Sequence, residues 1–256
     1  MSRQLLYRSG FWEIARPRHP LTAGHVLIRL SDPSTEFAHS SAADWLFCHK
    51  LVRAALNDVL GATRCAIMFA HQWHPLGSAI GEPVAESSTP TFHVFARWTG
   101  ETTTPGRQLS LPAHRRAGVP EHELDGTDAA LRDALRRGRP DAAVTSADDL
   151  SAAVEPVSGS GPLVRTVDAG PRHTVIEAAR QFESIGDIRP AELLAMASAL
   201  GSLRQSGGTS GFSCVALEPE SSGVPLRVHA LGRSVAEEVN PLEALLRSPE
   251  VSLALL

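Results

Sequence analysis

Two short segments of the chain carry a histidine followed four residues later by an arginine: His93 with Arg97, and His229 with Arg233. Each segment alternates in a way that predicts a β-strand, so the two side chains of each pair lie on one face. An imidazole can transfer protons, and a guanidinium can hold a phosphate or carboxylate. The pattern therefore predicts two related half-sites for an anionic ligand. The alternative is that His93 is a hydrogen-bonded core residue and that Arg97 pairs with a nearby carboxylate, from among Glu82, Glu86 and Glu101.

Two further histidines, His71 and His74, close the strand that is expected to lie beside the one carrying His93. Either imidazole can reach the first half-site and supply acid–base chemistry there. In the alternative interpretation, one ring packs near Trp73 and the other lies in solvent.

A metal centre is a separate alternative, built from His71, His74 and His93, with Cys48 or His49 as a further ligand. Hydrolytic zinc centres use three protein ligands and one open position. No ligand spacing in this sequence is diagnostic. We therefore predict no cofactor and keep a divalent metal as the alternative.

The loop before the first of these strands is rich in glycine and hydroxyl residues, and it ends in Ser87, Ser88 and Thr89. Backbone amides and hydroxyl groups of this kind suit an anionic group. The loop matches no phosphate-loop pattern, so an ordinary surface loop is the alternative.

The elements around these residues occur in the same order twice. The first series consists of a hairpin over residues 11–30, a helix from Ser40 or Ser41 to Gly61, a strand over 65–70 and a strand over 91–98. The second series consists of a hairpin over 163–177, a helix over 190–204 and strands over 212–217 and 227–233. An internal duplication explains this order, and it predicts that the chain folds as an intramolecular pseudo-dimer.

The middle of the chain differs in character, with turn-rich stretches and two predicted helices over residues 127–137 and 146–154. We therefore predict an N-terminal half over 1–105, a connector over 106–161 and a C-terminal half over 162–256. The predicted class is α+β, in which helices pack across antiparallel sheets.

Residues 20–28 (PLTAGHVLI) and 93–101 (HVFARWTGE) resemble the histidine triad superfamily, in particular its two-half branch, which includes galactose-1-phosphate uridylyltransferase and the dinucleoside polyphosphate phosphorylases. The resemblance covers about residues 10–101 and 162–235. It implies two triad-like halves and a nucleotide, nucleoside or sugar phosphate as the small-molecule substrate. The implied reaction is nucleotidyl transfer or phosphoanhydride hydrolysis.

The family's signature is three alternating histidines on one strand face, of which the middle one attacks the α-phosphorus. The matching positions are Thr89, Thr91 and His93 in the first half, and Pro225, Arg227 and His229 in the second. Only the third histidine is present in each half.

The resemblance implies that Thr91 lies where the nucleophile would be, while His93, with His71 or His74, provides acid–base chemistry. It also implies that Arg97, Ser87, Ser88, Thr89, Arg227, His229 and Arg233 bind substrate or phosphate. The missing nucleophile fits an enzyme recruited to other chemistry in bacterial specialised metabolism. The alternative is a catalytically inactive protein that binds a nucleotide or another small ligand.

The composition of the chain argues against some classes of protein, such as nucleic-acid-binding and membrane proteins. The chain has 256 residues, 43% of them hydrophobic, and a net charge of −4, without the basic excess of a nucleic-acid binder. Lys50 is the single lysine beside many arginines, a bias that indicates a GC-rich genome such as that of an actinobacterium. The three cysteines are dispersed and no apolar run has membrane-spanning length, so we predict a cytoplasmic protein that does not bind a membrane. We also predict that it is monomeric or homodimeric and binds no nucleic acid.

Overall fold

The computed structural model describes residues 4–72, 90–138, 162–181, 185–207, 209–218, 225–234 and 242–256. Several residues predicted to act in the site lie outside the described residues, as does the helix predicted over 146–154. These residues are His74, Ser87, Ser88 and Thr89.

The described strands form one nine-stranded sheet whose pairings are all antiparallel, which confirms the predicted α+β class. The strands are β1 (Gln4–Arg8), β2 (Trp12–Arg16), β3 (His25–Leu30), β4 (Arg64–His71), β5 (Thr91–Arg97), β6 (Val164–Gly170), β7 (His173–Gln181), β8 (Gly211–Leu217) and β9 (Pro225–Arg233). The helices are α1 (His39–Leu60), α2 (Pro105–Leu109), α3 (Glu121–Arg137), α4 (Pro190–Gly207), α5 (Leu242–Leu246) and α6 (Pro249–Leu255).

The strands lie in the order β1-β2-β3-β5-β4-β8-β9-β7-β6. Reading outward from the centre, the first half runs β4, β5, β3, β2, and the second runs β8, β9, β7, β6. The two series are thus the same in order. They meet where β4 pairs with β8, from Ala66 opposite Leu217 to His71 opposite Phe212, so the halves share one continuous sheet.

Helix α1 ends as predicted, but it begins at His39, and its N-cap residue is Ala38 rather than Ser40 or Ser41. Near its start, the Ser41 hydroxyl accepts a hydrogen bond from the Ala38 amide at 2.9 Å. At its end, Gly61 has φ 68°, the left-handed conformation that glycine adopts without a steric penalty. Trp45, Val52 and other apolar side chains of α1 are buried against the sheet.

The sheet has two differently covered faces. Its helix face, with Ile28, Ile67, Val94 and Val228, packs against α1 and α4 in the larger hydrophobic core. The opposite face, here called the histidine face, carries Thr91, His93, Phe95 and Arg97 on β5, and Arg227, His229, Leu231 and Arg233 on β9. Part of the histidine face is covered by apolar residues of α5 and α6, among them Leu242, Leu245, Val251 and Leu255.

Some elements differ from the sequence-based expectation. Helix α3 begins at Glu121, ahead of the predicted Thr127, with Glu121 and Glu123 in its first turn, where carboxylates interact favourably with the helix dipole. Strand β1 was not predicted. It has only five residues and an irregularity between Leu5 and Tyr7, which interrupts the alternation that identifies a strand.

Among the residues described above, no helix has the length and apolar character needed to cross a membrane. The predicted boundaries at 105/106 and 161/162, and the cytoplasmic location, stay predictions.

Candidate functional site

The first half-site is centred on a buried pair of histidines, His25 on β3 and His93 on β5. His25 Nε2 lies 3.0 Å from His93 Nδ1, and the ring centroids are 5.2 Å apart. The His25 ring also lies against Phe95, with 4.3 Å between centroids. The solvent-exposed fractions are 1% for His25 and 8% for His93, so neighbouring groups rather than water fix both rings.

The hydrogen bonds determine where each proton lies. His25 Nδ1 accepts from the Leu21 amide at 3.1 Å, so we assign the proton of neutral His25 to Nε2. His25 Nε2 then donates to His93 Nδ1, and the proton of His93 lies on Nε2. His93 is therefore a hydrogen-bond donor at Nε2, suited to an anionic oxygen. In this tautomer the Nδ1 lone pair of His93 is engaged by His25, and acid–base chemistry by His93 stays a prediction.

Burial reinforces the neutral state of this pair. It lowers the pKa of His93 to about 4, and it holds the pKa of His25 well below its ordinary value, with a further contribution from His93 and Arg16. Desolvation disfavours a charged imidazole, and two cations in contact would repel each other. The pair is thus uncharged at neutral pH.

The second half-site repeats the pair in the other half of the sheet. His173 Nε2 lies 3.1 Å from His229 Nδ1, again with 5.2 Å between ring centroids. His229 Nε2 lies 3.2 Å from Glu250 Oε2 on α6. A carboxylate accepts, so His229 Nε2 is the donor, and its Nδ1 accepts from His173. Both half-sites therefore share the hydrogen bond between the two histidines, and both present an Nε2–H donor.

The strand register shows that the two pairs are equivalent. His25 lies opposite Phe95, and His93 lies between Leu27 and Met68. In the second half, His173 lies opposite Leu231 and His229 lies between Val175 and Val215, with the same spacing. This correspondence was expected from the order of elements, but the contact within each pair was not.

The arginines of the predicted half-sites have structural partners. Arg97 forms an ion pair with Glu101 and donates from Nη1 to the Ala254 carbonyl at 2.8 Å. Arg233 is 1% exposed and donates to the Ser213 hydroxyl at 2.7 Å. These contacts confirm the alternative in which Arg97 pairs with a carboxylate. They do not support the prediction that Arg97 and Arg233 bind a ligand.

The position expected for a nucleophile differs between the halves. Thr91 on β5 lies two residues before His93, on the histidine face and partly buried. Its counterpart, Arg227 on β9, donates from Nε to Glu177 Oε1 at 2.9 Å and from Nη1 to Glu250. The first half therefore offers a hydroxyl and the second half a guanidinium.

His71 does not join the first half-site. It lies on β4 three residues after Met68, the residue opposite His93, and the alternation of the strand places it on the helix face. Arg204 of α4 lies near it, and burial together with that charge lowers the pKa of His71. The prediction that His71 replaces a missing imidazole beside His93 is therefore wrong.

The described part of the chain contains no group of three or more His, Cys, Asp or Glu side chains arranged to hold a metal ion. His71 and His93 lie on opposite faces of the sheet. Cys48 and His49 belong to α1, on the helix face, and burial raises the pKa of the Cys48 thiol to about 12. The described members of the alternative metal site therefore do not converge.

No protein-family model matches the sequence, and no curated protein matches it. Among solved structures, a hypothetical histidine triad nucleotide-binding protein from Sulfolobus tokodaii has a TM-score of 0.38 and 13% identity, over 54% of this chain and 86% of its own. A Zn-bound histidine triad family protein from Mycobacterium smegmatis has a TM-score of 0.37 and 16% identity, over 54% and 86%.

A Hit-like protein from Bartonella henselae, involved in cell-cycle regulation and bound to an unknown ligand, has a TM-score of 0.34 and 15% identity, over 52% of this chain and 88% of its own. These structural neighbours are histidine triad proteins. Similarity at this level leaves the chain's own geometry as the basis for assigning a site.

Sequence reasoning missed three residues of the half-sites. His25 and His173 were not among the predicted site residues, although both begin the second strand of a hairpin and so occupy matching positions. That match is the signal that could have identified them. Glu250 lies in the C-terminal tail, about 20 residues beyond His229 in sequence, and no sequence pattern links the two.

Proposed function

We propose that this chain consists of two histidine-triad-like halves fused as a pseudo-dimer, and that it acts on a nucleotide, nucleoside or sugar phosphate. The observation that carries the proposal is the duplicated histidine pair. His93 and His229 lie at equivalent positions in the strand register, 3.0 and 3.1 Å from His25 and His173. Each presents an Nε2–H donor on the same face of one sheet. Two donors of the same geometry, conserved between halves that otherwise differ, support a shared origin in anion binding.

In the first half-site, His93 Nε2 would donate to a phosphoryl oxygen. A neutral imidazole in this role stabilises negative charge that develops on the oxygen, without itself exchanging a proton. Thr91 lies beside it on the same face, at the position of the family's nucleophile. Without a histidine at that position, direct attack by water or by an acceptor substrate is the simplest route to hydrolysis or transfer.

A second candidate function is ligand binding without turnover. The specific observation in its favour is the proton assignment, because His93 lacks a free lone pair at Nδ1 to serve as a base for Thr91. A pocket that binds phosphate oxygens but does not activate a nucleophile would bind a nucleotide and release it unchanged.

The test is incubation of the purified protein with nucleoside triphosphates, dinucleoside polyphosphates and nucleotide sugars, each with and without a sugar phosphate acceptor and Mg²⁺. Product release is followed by chromatography, and binding by calorimetry. We expect binding, with turnover of at least one class, and a loss of both in His93→Asn. His122→Asn is the matched control, because His122 lies exposed on α3.

Binding without product under every condition would favour the binding protein over the enzyme. Binding that is equal in wild type and His93→Asn would contradict the proposed site.

A further inference from the structure

The carboxylate of Glu250 is held by two donors of the second half-site. Its Oε2 accepts from His229 Nε2 at 3.2 Å, and its Oε1 accepts from Arg227 Nη1. Arg227 and His229 occupy alternate positions of β9, so both side chains lie on the histidine face. One oxyanion thus bridges a guanidinium and an imidazole that come from the same strand.

Both donors are held in place by groups other than Glu250. His173 contacts the Nδ1 side of His229 at 3.1 Å. The Nε of Arg227 is bound to Glu177 Oε1 at 2.9 Å, and Glu177 also accepts from Arg165 at 2.6 Å. The two donors are therefore positioned before any anion arrives, which reduces the entropic cost of binding one.

Apart from Glu250, the charged side chains of the second half-site have a net positive charge, which favours binding of an anion. Arg165, Arg227 and Glu177 together carry one net positive charge, which the carboxylate of Glu250 neutralises. The Glu250 side chain is also more exposed to solvent than its two partners: it is 46% exposed, against 32% for Arg227 and 3% for His229. An ion pair exposed to this degree is weak, so an external oxyanion can replace the carboxylate.

The backbone that carries Glu250 is anchored independently of that carboxylate. Val251 and Leu255 of α6 are fully buried in the apolar cluster on the histidine face. In addition, Ala254 accepts a hydrogen bond from Arg97. The Glu250 side chain can therefore leave the half-site by rotation while α6 stays in place.

We propose that Arg227 and His229 form a binding site for a phosphate group, and that Glu250 occupies this site as an intramolecular competitor. The geometry of two N–H donors on one oxyanion suits the oxygen pair of a phosphate. A phosphate would displace the carboxylate, so the affinity of the second half-site is set by the chain itself. The proposal rests on the proposed function only for the equivalence of the two half-sites, and it requires no turnover in the first.

The experiment titrates inorganic phosphate into wild type, Glu250→Ala and Glu250→Gln, at constant ionic strength, with calorimetry and phosphorus NMR as readouts. Removing the competitor is expected to tighten phosphate binding about five-fold or more, the equivalent of one exposed ion pair of about 1 kcal/mol. Glu243→Gln is the matched control, because Glu243 pairs with Arg247 on neighbouring α5. It is expected to bind phosphate as wild type does.

Adding Arg227→Gln to Glu250→Ala should abolish the gain. The proposal is overturned if Glu250→Ala and Glu250→Gln both bind phosphate no better than wild type, or if the gain survives the loss of Arg227. Acetate binding as tight as phosphate binding would overturn the choice of ligand. In the His93→Asn background, Glu250→Ala should still tighten phosphate binding by the same factor, so a failure of the first half-site and a failure of the second give different results.

Discussion

At the scale of single residues, the hydrogen-bond partners of His93 decide what chemistry it can perform. The Leu21 amide fixes the proton of His25, and His25 fixes the proton of His93 at Nε2. A histidine in such a site is often interpreted as a base, but His93 is oriented as a hydrogen-bond donor through Nε2. The same is true of His229, whose Nε2 already donates to a carboxylate. These hydrogen bonds support the proposal that the half-sites bind negative charge.

The buried histidine pair should make the protein sensitive to acid. The pKa of His93 is about 4 in the folded state, against an ordinary value of 6.5, so between these values the unfolded chain binds more protons. Stability attributable to His93 is therefore full above pH 6.5 and falls as the pH drops toward 4. Between pH 7 and pH 5 the expected loss is about 2 kcal/mol.

The measurement is the free energy of unfolding in urea at both pH values, for wild type and His93→Asn. Asparagine does not titrate, so the variant should lose about 2 kcal/mol less than wild type over this interval. His122→Asn, at an exposed position, should keep the wild-type dependence. An identical pH dependence in wild type and His93→Asn would contradict the neutral, buried state assigned to this ring.

The sequence identified some of these residues and not others, for a physical reason. His93, Arg227 and His229 were found because strand alternation is a local property that places neighbours on one face. The ion pair of Arg97 with Glu101 was expected only as an alternative, and its bond to Ala254 was not expected, since both depend on how chain segments pack. Glu250 reaches His229 only because α6 folds back over the sheet, and no local pattern encodes that return.

At the scale of elements, the sequence indicated where α1 ends, whereas it did not indicate β1 or α6. Gly61 ends α1 in the left-handed conformation, with φ 68°. Glycine is favoured there because it lacks the Cβ that crowds the following carbonyl oxygen. Strand β1 and helix α6 have only five and seven residues, too few to show a period.

Two glycine substitutions should have opposite effects on stability. Gly61→Ala places a side chain at a positive φ and should lower the free energy of unfolding by about 1 kcal/mol, even though no atom lies within 4 Å of the new Cβ. Gly126→Ala should raise it by about 0.5–1 kcal/mol, because Gly126 is an exposed interior residue of α3 with similarly open space around it. Chemical denaturation measures both. A neutral or stabilising Gly61→Ala would show that α1 does not need this cap.

At the scale of the whole molecule, the pairing of β4 with β8 makes the two halves parts of one sheet. Six residues of β4, from Ala66 to His71, lie in register with β8. On the helix face, α1 contacts both α3 and α4, so helices of both halves pack together as well. The larger hydrophobic core includes Val94 of the first half and Val228 of the second. Loss of either half would expose apolar surface of the other.

The two halves should therefore unfold together, and the distribution of tryptophan allows this to be measured. Trp12, Trp45, Trp73 and Trp98 all precede residue 99, so tryptophan fluorescence reports on the first half alone. Leu200→Ala removes a side chain that is 3% exposed in α4, in the second half, and should cost about 2–5 kcal/mol. Because the sheet is continuous, the fluorescence midpoint should fall as far as the midpoint from far-ultraviolet circular dichroism.

Leu56→Ala, at a fully buried position of α1 in the first half, is the matched control, and its two midpoints should also coincide. If Leu200→Ala instead lowered the circular dichroism midpoint and left the fluorescence transition at its wild-type position, the halves would be independent folding units. The β4–β8 junction would then contribute little to stability. Coincident transitions in both variants would show that each half depends on the other across the shared sheet, as expected if the fused halves replace the two subunits of a dimer.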